Sequence, residues 1–287
     1  MGFKYSITLS SFRKIESIGC TLARLKAQGF DAVEMYGEPE KVNLRDLKMQ
    51  IASYDIPVCG VTGMWGGVGK DGSKRRLLSV DQNLVHHSEN YVRKCIKMCE
   101  FLGGNEFNIC LFSDNIPFLF DQNHNLPPEH QKRSLIKKAI PILKSLARFG
   151  SDHNVDLLIE PLNRFSTPYC NTARDAAYIA QKINHDNIGI LLDTFHMNIE
   201  ETSFEKAIFD SKDFLGHIHF AENNRTMPGY AHLEFGSILK TLNKIRYDKY
   251  ISFEPYLTKV DYKLATRKGL KLIKNLEKTS NDELFLH

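Results

Sequence analysis

Along the chain, short apolar runs alternate with longer stretches whose apolar positions recur every three to four residues. The first pattern suits buried strands and the second amphipathic helices. Residues 4–9 read as a first strand, followed by a helix over 15–28 that Gly29 stops. Residues 31–36 and 56–62 read as the second and third strands, with a helix over 44–54 between them. A long helix over 80–102, closed by Gly103 and Gly104, leads into a fourth strand at 106–112. Residues 113–128 form an irregular loop, and 129–154 read as a helix in which Pro141 is expected to make a kink or break. Four more strands follow at 155–162, 188–194, 214–220 and 250–255, with helices at 172–184, 204–211, 236–245 and 261–278. Eight strand-then-helix units, with no linker or low-complexity segment between them, predict an α/β chain folded as a single (β/α)8 barrel domain over residues 1–287. An open, doubly wound sheet is the alternative, and the lack of a dinucleotide fingerprint argues against it.

Alternation within the last four strands adds chemistry. One parity gives Val155, Leu157, Ile159, Ile188, Ile190, Leu192, Ile218, Phe220, Ile251 and Phe253, wholly apolar, as a helix-covered face requires. The opposite parity delivers Glu160, Asp193, His219 and Glu254 at the strands' C-terminal ends. In a closed parallel barrel that parity faces the axis, and active sites lie at that rim. A lone buried acid is usually a structural hydrogen-bond partner. Four ionisable groups in register favour a metal or acid–base site instead. Such an oxygen-rich set with one nitrogen suits Mn²⁺, Mg²⁺ or Co²⁺ better than a closed structural zinc. Glutamates reaching the rim from two separate strands could also flank one carbon, one removing a proton and the other returning it.

Composition narrows the field. The 287 residues are 42% hydrophobic and 25% charged, ordinary for a globular chain. The net charge of +4 is scattered, with no basic stripe, so a nucleic-acid partner is not expected. The most basic run, at 70–76, reads as a solvated loop. Six cysteines without a CxxC pair read as reduced thiols in a cytoplasmic protein, and neither a secretory leader nor a membrane span is expected. The glycine-rich loop at 63–72 lacks the spacing of a phosphate cradle; its Trp65 would either stack on a substrate or plug the barrel mouth. Glu34, ending the second strand, reads as a contact to a substrate hydroxyl or as a salt-bridge partner. His217 shares the parity of His219 one layer deeper and reads as an orienting group rather than a ligand. His232 reads as a substrate contact or an exposed loop residue, His86 and His87 as solvated, and Phe118–Phe120 as a pocket cover or subunit contact.

The motifs E-P-L-N-R-F from Glu160, D-T-F-H-M-N-I-E-E from Asp193, H-I-H-F-A-E-N-N-R-T-M-P-G from His217 and F-E-P from Phe253 together resemble the xylose isomerase-like barrel superfamily. The similarity is to its branch of D-tagatose/D-allulose (psicose) 3-epimerases. The resemblance implies Glu160, Asp193, His219 and Glu254 as ligands of one divalent ion, Mn²⁺ first and Co²⁺ or Mg²⁺ next. It implies Glu160 and Glu254 as the acid–base pair that exchanges the C3 proton of a ketose through a cis-enediolate. His196 and Arg225 would contact the substrate's carbonyl and neighbouring hydroxyl, and a homodimer or homotetramer is implied. Where many family members carry an acid after N-R-F, this chain has Ser166, which leaves a longer or oxidised sugar or a keto acid open. The other readings are a sugar or keto-acid isomerase of the inosose, hydroxypyruvate or keto-gluconate type, and a lyase subunit processing 3-oxo-glycosides. An AP-endonuclease-like nuclease on the same barrel would need further histidines from strands three and four, whose ends read V-T-G-M-W and I-C-L-F.

Overall fold

Eight parallel strands wrap into a nearly closed barrel. The structure, a computed structural model, describes residues 2–65, 71–114, 128–258 and 260–284, with side chains as far as 280. The strands are β1 (Lys4–Ile7), β2 (Val33–Tyr36), β3 (Val58–Thr62), β4 (Glu106–Ile109), β5 (Asp156–Ile159), β6 (Ile188–Asp193), β7 (Leu215–Phe220) and β8 (Tyr250–Phe253). Each pairs with its sequence neighbour from β2 to β8, and β1 pairs with β8. A single bridge between Thr8 and Glu34 joins β1 to β2 and brings the ends of the sheet together. This is the (β/α)8 barrel expected from the sequence.

The helices are α1 (Ile18–Gln28), α2 (Leu44–Tyr54), α3 (Gln82–Leu102), α4 (Glu129–Asp152), α5 (Ala173–Ile183), α6 (Thr194–Glu200), α7 (Phe204–Asp210), α8 (Phe235–Lys244) and α9 (Tyr262–Leu284). Their starts follow capping chemistry: Ser17, Asn43, Asp81 and Thr172 each accept a backbone N–H of the first turn. Gly29 and Gly103 close α1 and α3 in the left-handed region. The core forms between the helices and the outward parity of the strands, where Leu157, Ile159, Ile190, Leu192, Ile218, Phe220, Ile251 and Phe253 are fully buried.

Three expectations are corrected. The helix α6, which carries His196, has no counterpart in the sequence reading; it is too short to show a 3.6-residue period and is started by the Asp193 side chain, which accepts from Phe195 N at 2.8 Å. Pro141 does not interrupt α4. It and Lys137, whose carbonyl it leaves without a helical partner, are both solvent-exposed, so water can satisfy that carbonyl. The basic run is no solvated loop at its end: Arg75 and Arg76 are buried. Arg75 pairs with Glu38 at 3.1 Å and stacks over Tyr91, while Arg76 lies over Phe112. Residues 115–127, with Phe118–Phe120 among them, and residues 66–70 of the glycine-rich loop lie outside the described residues. Among the described residues no helix is long and apolar enough to cross a membrane.

Helix and sheet approach closely where α4 returns to β5. A Cβ on Gly150 would stand 2.6 Å from the carbonyl oxygen of Val155 and 2.9 Å from Asn187 Nδ2. Backbone on one side and a hydrogen-bonded amide on the other leave no room to yield. Gly150→Ala should therefore destabilise the protein by roughly 1–3 kcal/mol, read as a lower urea midpoint with an unchanged slope.

Candidate active site

The inward parity of β5 to β8 ends in one cluster. Glu160 and Glu254 follow directly after the last paired residues of β5 and β8, and their backbone N–H groups still bond to the adjacent strands, to Ile109 O of β4 at 3.0 Å and Phe220 O of β7 at 3.2 Å. Asp193 and His219 face each other in register on β6 and β7. One donor atom from each of Glu160, Asp193, His219 and Glu254 lies within 4.8 Å of the others. Strand alternation alone brings them there.

The partners of these atoms show what the site is built to hold. Asp193 commits Oδ1 to the cap of α6, whereas Oδ2 makes no aligned hydrogen bond and meets only the Arg225 guanidinium, as an ion pair at 3.1 Å. His219 gives Nε2–H to Glu34 at 2.9 Å, and its Nδ1 has no hydrogen-bond partner, 3.3 Å from Glu254 Oε2 and 3.9 Å from Asp193 Oδ2. Buried polar atoms are almost always paired. Two buried atoms without an aligned hydrogen bond, converging with two more carboxylates, fit a cation, and three acids with an imidazole fit a hard divalent one. The residues present form a candidate metal site.

Electrostatics separate the two glutamates. Burial, together with facing Glu254 and Asp193, pushes the Glu160 carboxyl upward. Burial also acts to raise Glu254, but the Arg225 guanidinium and His219 outweigh it and hold that carboxyl well below the usual range. A divalent cation seated between them would draw both down. Glu160 is further tied by its Oε2, which accepts from Asn108 Nδ2 and from Cys110 Sγ at 3.3 Å.

Arg225 and His196, just past β7 and β6, border the cluster. The Arg225 guanidinium reaches Asp193 Oδ2 at 3.1 Å, bonds Glu254, and lies over the Phe195 ring. Its backbone has φ of +60°, a left-handed conformation uncommon for a side chain of this size. The loop enforces it: Arg225 N donates to Glu222 O at 2.8 Å, and Tyr256 N donates to Arg225 O at 2.6 Å. The buried Glu222 carboxylate accepts from Gly229 N and Leu233 N, so one acid folds the whole loop back on itself. His196 accepts from the backbone N–H of Asn163 at Nδ1, 3.0 Å away, which leaves the proton of the neutral ring on Nε2. Burial, with Arg225 nearby, pushes this imidazole down to about 3, so it is neutral at any working pH. Arg225 Nη1 stands 3.3 Å from the same Nε2. Two donors facing one another call for an acceptor between them.

The remaining sequence candidates divide. Trp65 is partly buried, donates its indole N–H to Asn108 O at 3.2 Å and packs edge-on against Tyr91. Glu34 turns its two oxygens to His217 and His219, the arrangement of the salt-bridge alternative. His217 does sit one layer below His219, fully buried. His232, His86 and His87 are exposed, as is Cys20, whereas the other five cysteines are buried. Sequence reasoning missed Asn108, Cys110 and Glu106. The alternation used for the last four strands, applied to β4, would have found all three on the inward parity. It missed Asn163 and Glu222 because loop residues acting through the backbone carry no periodic mark.

Comparison with known proteins follows the same lines. The family profile described as xylose isomerase-like TIM barrel matches residues 22–276. The 3-dehydro-D-guloside 4-epimerase of Escherichia coli strain K12 is 28% identical over 250 residues, covering 86% of this chain and 90% of that protein. The L-ribulose 3-epimerase of Mesorhizobium japonicum is 27% identical over 241 residues, covering 84% of this chain and 76% of that protein. A solved L-ribulose 3-epimerase superposes with a TM-score of 0.86 at 22% identity, over 100% of this chain and 98% of its own, which speaks for the fold.

Proposed function

From the premise that the chain belongs to the xylose isomerase-like TIM barrel family, we propose that it is a divalent-metal-dependent sugar epimerase acting at the carbon next to a ketone. C3 of a ketose of the ribulose, tagatose or allulose type is the first candidate. The carrying observation is the cluster of Glu160, Asp193, His219 and Glu254, in which Asp193 Oδ2 and His219 Nδ1 are buried without an aligned hydrogen bond. The four would hold one ion, Mn²⁺ first and Co²⁺ or Mg²⁺ next, which when bound supplies Lewis-acid polarisation of the substrate ketone.

The chain's own groups do the rest. Glu160 and Glu254 approach from different strands, so a carbon between them presents one face to each. One carboxylate removes the α proton and the other delivers a proton to the opposite face, inverting the centre. Negative charge then gathers on the substrate oxygen, and the Arg225 guanidinium with the Nε2–H of His196 are the preorganised donors for it. The contact between those two donors in the structure is the place such an oxygen would fill. Glu160, Asp193, His196, His219 and Arg225 are buried, which strengthens each of these interactions.

Relatives named for a ketose 3-epimerase and for a 3-dehydro-glycoside 4-epimerase share this logic, since in each case the inverted carbon adjoins a ketone. The second keeps an oxidised glycoside as the alternative substrate. The buried thiols support a cytoplasmic setting. We read the chain as one domain that assembles as a homodimer or homotetramer, which light scattering measures.

The deciding experiment incubates metal-loaded enzyme in D₂O with ketopentoses, ketohexoses, keto-sugar acids and 3-keto-glycosides. Deuterium at C3 of a ketose with inversion supports the first reading, and at C4 of a 3-keto-glycoside the second. An aldose product would make it an isomerase, and no label anywhere would overturn both. Metal removal gives a further prediction. A chelator should abolish turnover to background, and Mn²⁺ or Co²⁺ should restore it, as an NMR assay of product would register; full turnover after stripping would refute the metal requirement.

A further inference from the structure

Below the rim the barrel holds a second set of ionisable groups that the proposed chemistry does not use. His217 precedes His219 on β7 and faces the same way, one layer deeper. Its Nδ1 stands 2.7 Å from Glu106 Oε2, and its Nε2 3.5 Å from Glu34 Oε1. The other oxygen of Glu34 accepts the His219 Nε2–H at 2.9 Å. Acid and imidazole thus alternate from Glu106 through His217 and Glu34 to His219, all of them buried.

Strand register explains how two long acids fit there. Glu34 pairs with Gly60, and Gly60 with Glu106, across β2, β3 and β4. A Cβ on Gly60 would stand 3.2 Å from the Cβ of Glu106 and 2.8 Å from its carbonyl oxygen. The layer holds both glutamates because the residue between them has no side chain.

Glu34, His217 and His219 also offer donors within 4.8 Å of one another, so a second ion is the competing occupant. The single lone pair of a neutral imidazole argues against it. With that lone pair on Nδ1, turned to the rim cluster, Nε2 of His219 carries the proton and cannot ligate a second ion. Its 2.9 Å to Glu34 is a hydrogen-bond separation. A proton, not a cation, belongs between Glu34 and His219.

We propose that Glu34 is a positioning residue for the metal centre: by accepting the Nε2–H of His219 it fixes the ring and its tautomer, so that the Nδ1 lone pair meets the metal. Glu106 and His217 hold Glu34 in turn, by ion pairing rather than aligned hydrogen bonds. Carboxylates behind ligating imidazoles act this way in general, making the ligand more basic and its orientation fixed. The proposal rests on His219 being a metal ligand.

The test is metal binding by chelator-stripped protein, titrated with Mn²⁺ by calorimetry and with Co²⁺ by visible absorption. Wild type should bind one ion per chain. Glu34→Gln, which keeps the shape and loses the charge, should raise the Kd roughly 10- to 100-fold and alter the Co²⁺ spectrum at saturation. Glu106→Gln should move the same way by less. Wild-type affinity and spectrum in a folded Glu34→Gln protein would overturn the inference and leave the proposed function standing. Should Glu34→Gln not fold, Glu106→Gln decides, with unchanged affinity counting against. Two ions per chain in wild type would overturn the inference alone, and none would remove the proposed function with it.

Discussion

Glu254→Gln and Glu160→Gln should each lower epimerisation at least about a thousandfold, the upper part of the range for a lost general base. The two losses should not look alike. In a two-base exchange each carboxylate serves one face of the carbon, so each variant retains the base for one epimer only. Glu254→Gln, saturated with metal, should wash deuterium into the epimer whose C–H faces Glu160 and leave the other unlabelled; Glu160→Gln should give the reverse. NMR of each pure epimer in D₂O reads this directly. Equal residual exchange into both epimers by either variant would mean that one base serves both faces. Each glutamate also contributes to the candidate metal site, so the comparison is made at saturating ion, where loss of affinity no longer contributes.

The sequence carried this site because strand alternation is a strict period of two. Once β5 to β8 are placed, Glu160, Asp193, His219 and Glu254 have only one side to point to, and the structure brings them together with no help from the loops. The barrel itself was legible for a related reason: eight apolar runs separated by amphipathic stretches leave few other ways to bury both faces of a parallel sheet. What stayed hidden has neither property. α6 follows from a cap at Asp193 and two short turns, without periodicity. The placement of Arg225 depends on a buried acid at Glu222 and a backbone bond from Tyr256, partners that composition does not mark. Glu34 has the inward parity, yet its role turned on whether a histidine or a substrate hydroxyl would face it, and that is decided by the register of β7 against the opposite side of the barrel.

Arg225→Lys should reduce kcat about 10²- to 10³-fold, the effect of removing a preorganised donor aimed at developing negative charge. Charge is conserved in this change, so simple attraction to Asp193 and Glu254 survives. What is lost is the fork that meets those acids and the approach to His196 together. The fold should be little affected, because φ of +60° at this position is held by the backbone bonds from Tyr256 and to Glu222 rather than by the guanidinium. The loss should therefore appear in kcat more than in metal affinity or melting temperature. His196 supplies the internal control. With its imidazole held at about 3 it stays uncharged across the neutral range, so the pH profile of kcat should show no inflection from this ring above about pH 4. Because that value is depressed below the unfolded one, the unfolded chain takes up the proton first, and His196 costs stability as pH falls below about 6.5. His196→Asn should then lose activity through the missing Nε2–H while flattening the acid limb of the melting curve. A kcat for Arg225→Lys within a few-fold of wild type would mean that charge alone, without the paired donors, stabilises the oxygen.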